Sequence, residues 1–178
     1  QNVTSKTVNT KKINALLKFN SEGFFESEFK NQYTGYFAHN ARQDYFSIGR
    51  ETYLENLETK LIDSEIENHS MNLGDQLEDP VEESFSLLSD TPLTNEAKIS
   101  IKPIILDRSK INPFKLKERL YPVDFGYTNT IMQRTFIKIP QGYLVKKLPE
   151  EATLTLPNNG GSYVFKMQYK NDEIKVFS

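Results

Sequence analysis

The sequence contains no cysteine and no tryptophan. The first absence removes disulfides, thiolate nucleophiles and zinc–thiolate sites together. It does not fix the compartment, because many bacterial exported proteins also lack cysteine. Histidine occurs only at His39 and His69, and a metal site needs several ligands at workable spacing. None is seen, so both are read as ordinary surface or half-buried histidines, and no metal or cofactor is expected. No Gly-x-Ser-x-Gly, Walker-type or dinucleotide motif occurs. No run of about 18 apolar residues reads as a membrane span. Neither charge sign dominates: the net charge is −2, which gives no basis for a nucleic-acid or anionic-membrane partner.

What is present is an ordinary globular composition, with 37% apolar and 26% charged residues over 178 positions. A chain of this size buries about 70% of its unfolded surface as one domain or two small ones. Twelve Phe and nine Tyr point to aromatic strands. Residues 1–10 are polar and read as frayed. Ile13, Ala15, Leu17 and Phe19 then alternate with polar residues, a turn follows at 20–23, and Phe25, Ser27, Phe29, Asn31 and Tyr33 continue the period. The pattern predicts a β-hairpin. Phe37, Ala41 and Tyr45 recur every four residues, with Thr34 as candidate N-cap. After Gly49 an apolar stripe runs through Tyr53, Leu54, Leu57 and Leu61. This predicts a helical stretch in about two pieces lying across a sheet.

From Ser64 the period returns to two. Ile66, Met71 and Leu73 break parity and suggest a bulge. Val81, Phe85 and Leu87 share a face, as do Ile99, Ile101 and Ile105, where Pro103 points to an edge strand. The second half reads as a meander: a strand through Ile131 and Ile137, a turn at 140–142, strands over 143–148 and 153–156, a hairpin signal at Asn158-Asn159-Gly160-Gly161, a strand carrying Tyr163, Phe165, Met167 and Tyr169, and a last strand after Asn171-Asp172. Strands at this spacing argue for a sandwich. The expected class is mainly β (α+β), with antiparallel sandwich-like sheets and a helical segment in the first half. The expected units are 1–110, a sheet with packed helix, and 111–178, a smaller sandwich-like unit.

The joint between these units is the most distinctive stretch. Asn112-Pro113-Phe114-Lys115 is followed by Glu118-Arg119-Leu120-Tyr121-Pro122-Val123-Asp124-Phe125-Gly126. Pro122 cannot donate to a ladder, so a strand here lies at an edge or carries a bulge. Asp124 and Gly126 suit a capped turn. This run resembles the C-terminal domain of unknown function that follows the catalytic domain in bacterial transglutaminase-like proteins. The likeness continues through Leu144–Pro149 and Leu156–Tyr163. Earlier, Tyr33-Thr34-Gly35-Tyr36, Ala41-Arg42, Tyr45-Phe46 and Glu51–Glu55 resemble the part just after that catalytic domain. The resemblance implies a non-catalytic accessory module whose partner is an upstream catalytic domain of the same chain, in the periplasm or outside the cell. The catalytic Cys, His and Asp would lie upstream, and no position here matches them. The start at Gln1 and the strand-like end at 174–178 agree with a fragment.

Other readings remain at this level. Asp75, Glu78, Asp79, Glu82 and Glu83 crowd one loop and strand start. Oxygen ligands there could hold calcium, although the spacing is not that of an EF-hand and a solvated acidic loop is favoured. Tyr36, Tyr45, Tyr143 and Tyr169 could stack on sugars, which makes a carbohydrate-binding sandwich the alternative function and a protein or glycan a candidate partner. A hydrolase built on two carboxylates would need them about 5–10 Å apart in a cleft. No catalytic, cofactor-binding or metal residue is assigned.

Overall fold

A computed structural model describes residues 9–20, 22–59, 64–89, 92, 98–104, 106, 127–157 and 160–178. The 112–126 stretch, Leu61, Ile105, Asn158 and Asn159 lie outside the described residues. The elements are β1 (Asn9–Phe19), β2 (Phe25–Tyr33), α1 (Tyr36–Glu58), β3 (Ser64–Asn72), β4 (Val81–Ser89), β5 (Asn129–Lys138), β6 (Ala152–Thr155), β7 (Ser162–Lys170) and β8 (Glu173–Phe177). The strands form one mixed eight-stranded sheet in the order β3-β4-β2-β1-β5-β8-β7-β6.

The mainly β, α+β class agrees with the sequence. The expected antiparallel pairing holds at every strand pair but one among the described residues. β1 and β5 run parallel, from Asn9↔Asn129 to Leu17↔Ile137, so strands from both sides of residue 110 share one sheet. Parallel neighbours require a long crossover, and here more than a hundred residues intervene.

The expected β1–β2 hairpin forms, with pairs running from Phe19↔Phe25 to Lys11↔Tyr33. Its turn is tied by the Asn20 side chain, whose Oδ1 accepts from the N–H groups of Glu22 and Phe24 at 3.0 Å each. Gly23 supplies a φ of 88°. Period-two alternation then puts Ile13, Ala15 and Leu17 in the core beside Phe29, Phe85 and Leu87. Phe29 and Phe85 are cross-strand partners, and their rings stack at 4.8 Å. Such a pair adds about 0.5–1.5 kcal/mol beyond its area burial.

Helix α1 is broken at Gly49, whose φ of 77° and ψ of 163° are non-helical, in keeping with two pieces. Its start departs from expectation. Gly35, not Thr34, is the N-cap, and it makes no side-chain cap bond. Asn9 fills that role from β1: its Oδ1 accepts from the Tyr36 N–H at 2.9 Å, while its Nδ2 donates to the Thr128 carbonyl at 3.0 Å. Thr34 Oγ1 instead accepts from the Thr10 N–H at 3.1 Å. One buried asparagine thus joins the helix start to the approach of β5.

Apart from Thr10, the buried residues of β1, β2, β4, β5 and β8 lie on one sheet face. Leu57 of α1, Ile101, Leu106, Val145 and Leu148 pack over it. Two expected strands are not strands: the described residues of 99–104 and all of 143–148 carry no ladder. Ile101, Val145 and Leu148 instead pack against the core without extending the sheet. Leu144, on the opposite side of its segment, is 90% exposed.

Candidate functional site

The densest group of chemically capable side chains centres on Glu83. It is the third residue of β4, and strand alternation turns its side chain toward the core side, with Val81, Phe85 and Leu87. Tyr33 reaches it from β2 and Tyr53 from α1. His69 reaches it through a bulge. The β3–β4 register slips between Glu67 and Ser70, and Asn68 there takes a φ of 52°. An inserted residue of this kind re-aims a side chain, and His69 is brought to the core side.

Four donors converge on the two carboxylate oxygens. Tyr33 Oη donates to Oε2 at 2.7 Å and Asn31 Nδ2 at 3.3 Å. Tyr53 Oη donates to Oε1 at 2.8 Å. His69 Nε2 lies 3.2 Å from Oε1. An ionised carboxylate only accepts, so Nε2 carries the proton in this contact. The side chains of His69 and Glu83 are both 2% exposed. Burial pushes the Glu83 carboxyl up, but the donors His69, Tyr33, Tyr53 and Asn31 outweigh it and hold the group below its ordinary value. Burial, followed by the charge of Glu83, drives both Tyr33 and Tyr53 well above the ordinary phenol range. Asn31 Oδ1 is buried without a hydrogen-bond partner.

This arrangement corrects one expectation: Glu83 does not belong to a solvated acidic loop. His69 is half-buried as a residue, as expected, but its side chain is turned inward and only 2% exposed. A carboxylate with four protein donors and almost no exposure holds its charge in place, but offers no lone pair to a substrate. It is a buried ionic anchor between β2, β3, β4 and α1.

A second anchor lies beside it. Arg42 of α1 is 8% exposed and spends its guanidinium on four backbone carbonyls of the loop between β3 and β4. Nε donates to Leu73 at 2.8 Å, Nη1 to Leu77 at 3.0 Å, and Nη2 to Gln76 at 3.1 Å and Asp79 at 2.7 Å. Asp79 Oδ2 accepts from the N–H groups of Asp75 and Gln76 at 3.1 and 2.9 Å. The acidic loop is therefore organised from within. Its carboxylates do not converge, and no group of three or more His, Asp or Glu that could hold a metal occurs among the described residues.

The remaining candidates are dispersed. His39 is exposed on α1. Tyr36 stacks on Tyr127 at 4.4 Å. Tyr45 meets Tyr53 edge-on at 5.6 Å. Tyr143 is half-buried, and Tyr169 donates to Asp172 Oδ1 at 2.9 Å. Sequence reasoning missed Tyr33 and Tyr53 as partners of Glu83, and Arg42 as the anchor of the β3–β4 loop. The available signal was Glu83 itself, an acid standing in phase with Val81, Phe85 and Leu87.

With this geometry in hand, comparison with known proteins adds one finding. The model of a family described as "Domain of Unknown Function with solved-structure structure (DUF3858)" matches residues 97–178. That segment holds β5 to β8 and is a little under half of the chain. The match names a domain without an activity, and it does not link the chain to transglutaminase-like proteins. No curated protein matches the chain. No solved structure matches it.

Proposed function

We propose that this chain is a non-catalytic accessory module that supports a catalytic domain of the same polypeptide, of the transglutaminase-like kind, or binds a partner for it, in the periplasm or outside the cell. The observation that carries this reading is the fate of the reactive side chains. Glu83, His69, Tyr33 and Tyr53 would make a plausible acid–base group if open to solvent, and here they are shut inside the fold and saturated by one another. A general acid or base has to reach the proton it moves. The resemblance of the 112–126 stretch to the region following transglutaminase-like domains supports the accessory role, and the match of residues 97–178 to a domain of unknown function assigns no activity that competes with it.

The test compares a polypeptide containing both the catalytic domain and this module with one from which the module is deleted. Deletion should lower the unfolding midpoint of the catalytic domain or narrow its substrate range. The module alone should turn over neither amine–glutamine transfer nor peptide substrates. Turnover by the module alone that disappears in Glu83→Gln overturns the reading, as does a catalytic domain indifferent to the deletion.

A further inference from the structure

The sheet face opposite the core has its charge sorted by position. Register fixes which residues share that face: Glu28 pairs with Leu16 and Ser86, Arg134 with Asn14 and Phe177. On the wing formed by β3, β4 and β2 it presents Glu65, Glu67, Glu82, Glu26 and Glu28, with Lys30 as the one base. On the wing formed by β1, β5, β8 and β7 it presents Lys12, Lys18, Arg134, Lys138, Lys175, Lys166 and Lys170, with Glu173 as the one acid. Between and within the basic wing sit apolar side chains. Leu16 and Phe136 are neighbours across β1 and β5, Lys175 Nζ lies 5.9 Å from the Phe136 ring centroid, and Phe177 and Val164 are each 39% exposed.

We infer that this face docks a second copy of the same chain, with the acidic wing of each molecule over the basic wing of the other. The charge pattern selects both the partner and the geometry. A two-fold axis parallel to the strands, passing near β1, exchanges left and right wings as it turns one sheet to face the other. A two-fold axis across the strands would lay acid on acid and base on base. Only the first orientation is attractive, and it is self-complementary, as an isologous interface requires. Two sheets stacked this way sit about 10 Å apart, which suits long Lys and Glu side chains with Leu16, Phe136 and Phe177 between them. The net charge of −2 puts little overall repulsion in the way. The inference does not depend on the accessory role.

Exposed ion pairs are weak singly and are screened by salt, so the dimer is weak and salt-dependent. Sedimentation equilibrium of the full chain should show a dissociation constant that rises about tenfold or more between low and high salt. The decisive comparison uses two variants whose substitutions lie on exposed positions: Glu65→Lys with Glu82→Lys, and Lys138→Glu with Lys166→Glu. Circular dichroism and the unfolding midpoint check that both fold. Each variant alone should be monomeric, and an equimolar mixture should associate, because the unaltered basic wing of the first then meets the unaltered acidic wing of the second. A wild-type chain that stays monomeric at low salt and millimolar concentration overturns the inference. So do variants that dimerise as well as the wild type, a mixture that fails to associate, or a basic wing that binds an acidic polymer such as heparin while the chain never self-associates.

Discussion

Substituting Glu83 by Gln keeps the shape of the side chain and removes its charge. In the wild type each carboxylate oxygen accepts two donors, Tyr33 and Asn31 on Oε2, Tyr53 and His69 on Oε1. In the variant one oxygen becomes an NH2 group facing two donors. The tyrosine hydroxyls can turn to accept, but the charge-assisted character of every contact is lost. Hydrogen bonds to charged groups contribute about 1.5–3 kcal/mol each, and unmet buried groups cost a similar amount. Disrupting a buried ionic network destabilises by about 3–5 kcal/mol. We expect Glu83→Gln to lose about 3 kcal/mol in urea unfolding, with the m-value unchanged. The pH profile gives a second reading. The folded-state pKa of Glu83 is depressed, so its stabilising contribution is present above the ordinary value of 4.5 and is lost as pH falls from there through the folded value. The wild type should weaken steadily in that acid range, and the variant should show a shallower slope. A loss under about 0.5 kcal/mol, with an unaltered acid profile, would mean that the charge of Glu83 does not hold these strands to α1.

Three further outcomes follow from the same structure. Arg42→Met should cost about 2–4 kcal/mol by releasing four carbonyls, with faster hydrogen exchange at residues 75–79; Arg42→Lys should recover little, because a point charge cannot replace the planar fork. Gly35→Ala should cost about 1–3 kcal/mol in chemical denaturation, since its φ is +60° and the new Cβ would collide with the Asn9 side chain. Ultraviolet titration should find Tyr33 and Tyr53 silent near the ordinary value of 10.0 while the native fold persists; their raised folded-state pKa values mean that stability is full below about pH 10 and declines as pH rises above it.

Local pattern accounts for much of this molecule. Alternation in 13–19 and 25–33 specified not only a hairpin but which face would be buried, because a pleated strand sends successive side chains to opposite sides. The parity break between Ile66 and Met71 located the β3 bulge, and Gly49 divided α1. The strand reading misled at 143–148 and over 99–104. Alternation reports that every second side chain meets apolar surroundings, and a segment lying over a core satisfies that as well as a strand does.

What the sequence could not decide were the meetings of residues far apart along the chain. Asn9 as the helix cap, Arg42 on the carbonyls of residues 73–79, and the group of Tyr33, Tyr53, His69 and Glu83 each combine side chains whose local contexts look ordinary. The parallel pairing of β1 with β5 joins segments separated by more than a hundred residues, and no short-range signal encodes a choice of distant neighbour. Composition and period determined the elements and their greasy faces, since those depend on each residue and its near neighbours. Tertiary packing alone decided where buried charge would be tolerated, because a carboxylate can stay ionised in the interior only where several separate elements deliver donors to the same point.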